Sequence, residues 1–463
     1  MTAFATELAR FVGRFDLASL PPEVVEKARA CLLNAYGVAL DCHDTPYAPV
    51  ARAAALAMDG ERHESDRKDG ATLLGDGRRT SVGGACLANS ALFHGRAQED
   101  SCGAAHFGTI LAPLLTAMIE AGHAPVSRLL PALVAGYEAG GALEQAFAGA
   151  TTPGGFRSSA IYGTVAAAAA AARLLDLDEA RFAAALSNAA SFAGGVLQSF
   201  ADGTDEWRYQ VGLVARNGLV AAELARAGSA SAPHAFEGKS GFVKAFARAD
   251  MDVAALVRAF GRDWAILRTA FKPYPVCAFN QTPVIAALAL REQLAGRTPG
   301  RARVRMNPYE MGYAGMDSKG PFHSVSGTLM SIPFCIAATL VRGSPTMRMM
   351  TTYDDAAVNA LVPNIELVPD SAVPTLSAVI EVETQDGARL VRDERMTARD
   401  YSYGRAEVSA MIRRIGVEQN VPPHAFDAIE RFVEDLPGGR IETIVEAFGA
   451  LPRANAPQIR LTA

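Results

Sequence analysis

No two of the six cysteines (Cys31, Cys42, Cys86, Cys102, Cys277, Cys335) stand in a Cys-x-x-Cys pair. That scatter excludes a paired-cysteine zinc site, argues against a disulfide framework and suits a reducing, cytoplasmic compartment. Aromatic residues are scarce, at 7% of 463 residues, while alanine is abundant, which favours close-packed helices over a β-sandwich. Neither sign of charge dominates: the net charge is −5, so no basic surface points to nucleic acid. The cluster Arg301 to Arg305 reads instead as a charged strand entry. Long hydrophobic runs are also missing. The longest, Ala160 to Ala172, stops at Arg173 and falls short of the ~20 residues a bilayer requires. Met1 to Glu7 lack the basic-then-apolar pattern of a signal peptide. A membrane partner is therefore not expected.

What remains is mostly helical spacing. Leu20-Pro-Pro-Glu opens a long helix, with proline at a position that costs no hydrogen bond and Glu23 and Glu26 at the positive end. Further helices are predicted over Ala51–Met58, Gly84–Leu92, Leu129–Phe147, from Ala160, over Asp178–Ala189, and over Val211–Ala227. A polar insert, Asp59 to Gly70, precedes a Gly75-Asp76-Gly77 turn, and Phe200 to Gln210 reads as a polar-aromatic loop. Near Thr269 the texture changes. A proline-punctuated loop, Lys272 to Pro283, precedes a helix over Val284–Leu294. Arg301–Met306 alternates as a strand does, and Leu376–Val391 reads as a hairpin turning at Asp386-Gly387. Helical spacing returns from Arg405. The fold class is mainly α. A large helical domain built from both chain ends (1–267 and 399–463) carries a smaller inserted α+β lid (268–398).

One stretch concentrates chemistry. Ser90 to Pro113 sets two of the eight histidines, His94 and His106, with Arg96, Glu99, Asp100, Ser101 and Cys102 between two apolar helical runs. Polar groups gathered between core segments are costly unless they are paired or used. His106 is the leading acid/base candidate, because imidazole exchanges protons near neutral pH. His94 lies inside an apolar run and reads as structural. The twelve-residue gap between the two carries no metal-binding pattern, the cysteines are unpaired and the acids form no oxygen cage. No metal is expected.

The order of these segments resembles the MmgE/PrpD family, which includes 2-methylcitrate dehydratase, cis-aconitate decarboxylase and iminodisuccinate epimerase. The resemblance runs through Leu20 to Ala28, Ala71 to Arg79, Ala88 to His94, Ala167 to Leu177, Gly212 to Gly218 and Lys272-Pro-Tyr-Pro275. It implies a homodimer, a helical domain with an α+β lid, and cofactor-free proton chemistry beside a carboxyl group. Alanine-rich helical faces, which a monomer has little means to cover, point to the same dimer. Three positions depart from the family pattern. Ala97 stands where lyases carry an aspartate, Trp207 where a lysine is common, and Gln281 where a histidine follows the Lys-Pro-Tyr-Pro loop. His106 matches, and Ser101 keeps the usual hydroxyl.

The expected catalytic set is therefore His106, Asp100, Ser101 and Tyr209. Arg208 and Arg157 are candidates to grip a carboxylate bidentately. Lys272 and Tyr274 at the entry to the lid, with Gln281, Tyr313 and His323 within it, complete the substrate-binding candidates. Cys277 has no partner pattern for a nucleophile and reads as packing. The expected function is a cofactor-independent lyase, a dehydratase or decarboxylase, acting on a small polycarboxylate or hydroxy acid. An epimerase or isomerase using the same proton chemistry is the alternative, and a non-catalytic binding homologue is the third reading.

Overall fold

The computed structural model describes residues 3–63 and 70–452; residues 64–69 of the expected polar insert lie outside that range. It is mainly helical and divides into two units. The first comprises residues up to Gly195, Arg208–Thr269 and the chain from Tyr403 onward. The second comprises Val196–Trp207 and Ala270–Ser402. The segment Val196–Trp207 thus groups with the inserted unit, a difference from the expected boundaries. The expected loop there is also shorter: Gln198–Asp202 is a helical turn, and a helix already starts at Glu206.

In the first unit the helix Pro22–Leu40 is buried continuously from Ala30 to Leu40. The helix Ser158–Leu174 is buried from Ser158 to Ala172, and each residue of Ala166 to Ala172 is fully buried. Small residues let its neighbours come close. A Cβ on Gly140 would stand 2.8 Å from Ala166 Cβ, one on Gly163 2.5 Å from Ile110 Cδ1, and one on Gly218 would overlap Ala167. Interiors packed to crystal density leave no room for those atoms. This corrects the reasoning behind the expected dimer, because the alanine-rich face is spent inside the unit. The large apolar side chains left exposed include Leu213, Val220 and Leu224 on the helix Glu206–Arg226. Strands β1 (Ala71–Thr72) and β2 (Arg79–Thr80) form a small antiparallel ribbon. Gly75 and Gly77, at φ 77° and 88°, turn it.

The second unit holds a four-stranded sheet of β3 (Pro299–Met306), β4 (Ile365–Pro369), β5 (Ser377–Thr384) and β6 (Arg389–Arg395), in the order β4-β3-β5-β6. β3 runs parallel to β4 and antiparallel to β5, which pairs antiparallel with β6. Ala302, Val304 and Met306 of β3 are buried while the alternating Arg301 and Arg303 are exposed and Arg305 is half-buried, the period of a half-covered strand. The helix Gln281–Leu294 packs against β5 and β6. β6 is the charged edge, which discourages pairing with other chains.

Candidate active site

The helix Val82–Phe93 ends at His94, and the next helix, Gly108–Glu120, begins fourteen residues later. The connecting loop is buried over almost its whole length. It reverses at Ala97 and Gly103, both left-handed at φ 55° and 60°. Cys102 and Ala105 pair as an isolated bridge, tightening the turn just before His106.

A chain of polar side chains crosses this loop within the first unit. Arg157 Nη2 lies 2.6 Å from His94 Nε2. A guanidinium has no acceptor, so Nε2 accepts and the ring proton sits on Nδ1. That nitrogen faces Glu99 Oε2 at 3.0 Å. The other oxygen, Glu99 Oε1, lies 3.6 Å from His106 Nδ1. His106 Nδ1 also stands 2.7 Å from the Asp100 carbonyl oxygen. A carbonyl only accepts, so Nδ1 carries a proton and Nε2 is left as the ring's acceptor. His106 retains 17% side-chain exposure, against 1% for His94 and 2% for Glu99. The outer imidazole thus reaches solvent while its support does not. The backbone N–H of His106 donates to Ser159 Oγ at 3.0 Å, tying the loop to the start of the helix Ser158–Leu174.

Asp100 works in two directions. Its carbonyl holds His106, while its carboxylate accepts from Gly108 N at 3.0 Å and from the Tyr137 hydroxyl. An acid at a helix start satisfies an orphan N–H and meets the positive end of the dipole. Burial and the neighbouring Asp100 charge push the Tyr137 hydroxyl well above its ordinary range. Ser101 donates its hydroxyl to Gly103 O at 2.6 Å, inside the same turn.

The arginines separate. Arg157 gives Nη2 to His94 and Nη1 to Gln210 Oε1 at 3.2 Å, so it braces the cluster. Arg208 stacks its guanidinium 3.8 Å above the Tyr47 ring. Stacking engages the flat face of the guanidinium, a contact its delocalised charge favours. Tyr209 packs against the apolar cluster of Ala51, Ala55, Leu73, Leu87, Ala88 and Ala91.

The remaining candidates belong to the second unit. Gln281 accepts from Tyr274 N at 3.2 Å and donates to Tyr274 O and Val276 O, both at 3.0 Å. Its amide therefore shapes the loop carrying buried Lys272 and half-buried Tyr274. Trp207 donates its indole N–H to Ser326 Oγ at 3.0 Å and packs on Phe200. Tyr313 stands between Phe200 and Phe279, with ring centroids 6.0 and 5.3 Å away. His323 is exposed.

The structure thus brings His106, Asp100, Ser101 and Arg157 together, adding His94, Glu99, Ser159 and Gln210. Glu99 was visible in the sequence as an acid between two histidines, yet nothing in spacing alone says that one carboxylate touches both rings. Gln210 carried no signal. Among the described residues no group of three or more His, Cys, Asp or Glu side chains is placed to hold a metal ion. Among them, too, no helix is long and apolar enough to cross a membrane.

Comparison with known proteins agrees with this architecture. Residues 6–253 match the MmgE/PrpD N-terminal domain, and residues 274–414 match the MmgE/PrpD C-terminal domain. A cis-aconitate decarboxylase of Aspergillus terreus is 24% identical over 450 residues, covering 90% of this chain and 86% of that protein. A cis-aconitate decarboxylase-like protein of Aspergillus oryzae is 29% identical over 274 residues. That match covers 56% of this chain and about half (55%) of the relative's length. With both family domains matched in order over most of its length, the chain belongs to the MmgE/PrpD family.

Proposed function

We propose that this chain is a lyase that decarboxylates or dehydrates a small carboxylic acid, with His106 as the group that passes the proton. One observation carries the reading: the Asp100 carbonyl fixes the proton on His106 Nδ1 and so assigns the exchange to Nε2. Glu99, 3.6 Å from Nδ1, favours the imidazolium that forms when Nε2 gains a proton. His94 and Arg157 hold Glu99 in place from behind.

Within the lyases, decarboxylation suits these residues better. The bond from carbon to the carboxylate breaks, carbon dioxide leaves with no oxidant needed, and the electron pair left on carbon takes a proton from imidazolium Nε2. Dehydration asks in addition for an acid at the departing hydroxyl. Two positions where resembling lyases carry titratable side chains hold Trp207 and Gln281, whose polar groups are engaged by Ser326 and by the Tyr274 loop. The names of the curated relatives point the same way. Arg208 is the proposed carboxylate anchor, with Arg157 bracing the cluster.

The test is incubation with cis-aconitate and a panel of other small polycarboxylates in heavy water, followed by carbon dioxide measurement and product mass. A shortened acid carrying one deuterium supports the decarboxylase. Recovery of a full-length acid labelled at one carbon would instead establish the epimerase. We also propose a homodimer, in which a second copy covers Leu213, Val220 and Leu224. These residues lie seven and four positions apart on one helix face and are 49%, 42% and 42% exposed. Light scattering of a monomer at micromolar concentration would contradict it.

A further inference from the structure

The loop that carries His106 is held on its far side by a helix that the proton chemistry does not use. Glu138, Gly141 and Glu144 lie three residues apart on the helix Leu129–Thr151, so they share one face. Glu144 Oε1 accepts from Ala104 N at 2.8 Å, two residues before His106. Glu138 accepts from Ala265 N and Ile266 N, both at 3.0 Å, in the turn Ala265–Arg268. Cys102 Sγ donates to Ala265 O at 3.4 Å, joining the two loops to each other. The contact is close throughout. A Cβ on Gly103 would overlap the Glu144 carboxylate, and one on Gly141 would stand 2.5 Å from Ala265 Cβ and 3.4 Å from Cys102 Sγ. Arg268 donates to Gly141 O at 3.3 Å and pairs with Asp263 at 2.8 Å, and its positive charge acts on both acids.

We propose that Glu144 and Glu138 are paired positioning residues: their buried carboxyls lock the Cys102–Ala105 turn to the Ala265–Arg268 turn and thereby set where His106 stands. The two acids are buried, 6% and 4% exposed, where aliphatic side chains would pack without desolvating a carboxyl. What a carboxyl adds there is an acceptor for backbone N–H groups that a compact turn leaves unpaired. The assignment rests on the reading of His106 as the proton-transferring group, but its first test needs no substrate.

Hydrogen–deuterium exchange of the full chain, read by peptide mass, makes that test. Glu144→Ala should speed exchange of amides 102–107 about tenfold, the effect of losing one buried hydrogen bond, with peptides of the helix Pro22–Leu40 unchanged. Glu144→Gln keeps an accepting oxygen and should restore protection. Glu138→Ala should loosen 264–268 and, through the Cys102–Ala265 link, also 102–107. Unchanged exchange at 102–107 in Glu144→Ala would overturn the proposal. So would equal loosening in Glu144→Gln, since a packing defect would then explain both. On whichever acid proves to be the substrate, Glu144→Ala should lower kcat more than it raises KM, and Glu144→Gln should recover most of kcat. Loosened amides with unaltered turnover would sink the positioning role and leave the His106 chemistry standing.

Discussion

His106 Nδ1 meets the main-chain carbonyl of Asp100, six residues earlier, at 2.7 Å. A carbonyl cannot be removed by changing a side chain, so the tautomer of His106 is written into the path of the loop. Asp100 can therefore be separated from the chemistry. Asp100→Asn keeps the carbonyl and retains an oxygen for Gly108 N, but it loses the charge at the helix start and alters the bond to Tyr137. We expect a stability loss of about 1–3 kcal/mol, with turnover reduced less than tenfold. Thermal melts beside steady-state kinetics check this; a loss of turnover above a hundredfold at unchanged stability would make Asp100 a direct participant.

Arg208 stacks on Tyr47 and is the proposed carboxylate anchor. Arg208→Lys keeps the charge and discards both the planar fork and the stack. KM for the carboxylate should rise about tenfold or more, with a smaller change in kcat. Unaltered kinetics in that variant would remove Arg208 from the site.

Burial pushes Glu138, Glu144 and Glu310 up to about 7, from an ordinary value of 4.5. The folded chain therefore keeps protons that the unfolded chain has released. Their effect on stability is most favourable below about 4.5, and stability declines as pH rises from there to about 7. Ion-paired acids such as Asp76 and Asp355 are lowered instead and change below that window. Urea unfolding at pH 5.5, 6.5 and 7.5 should show the decline, of order 1–3 kcal/mol per buried acid. Glu144→Gln should flatten its share. Rising stability across the same interval would contradict the assignment.

Chelation should leave turnover unchanged. A cation at His94 would have to displace Arg157, whose guanidinium already stands 2.6 Å from Nε2. Extensive dialysis against a strong chelator, followed by assay with and without divalent ions, checks this. Activity lost and then restored by one ion would refute it.

Much of this architecture could be read before any coordinates. Helices such as Pro22–Leu40 and Arg405–Gln419 announce themselves by spacing and by residues at their starts. The hairpin of β5 and β6 follows from alternation around Gly387, which takes φ 86°. β4 escaped notice because five residues ending at Pro369 are too few for a pattern to register. The helix expected from Val211 starts five residues earlier, at Glu206; aromatic and polar residues crowd its first turn and mask the spacing there. At the site, residue types drew attention to His106, whereas the link from Glu99 to both histidines depends on how a loop folds. Arg157 illustrates the limit most plainly. Its charge suggests a clamp, and only geometry shows that His94 and Gln210 take up its donors.

The most direct test of the account is His106→Gln assayed on the true substrate in heavy water. Glutamine can still hydrogen-bond, so the fold should persist by circular dichroism. Turnover should fall by about a hundred- to ten-thousand-fold, with deuterium incorporation at the product carbon lost in parallel. A folded His106→Gln protein with full activity and full labelling would contradict the mechanism at its centre.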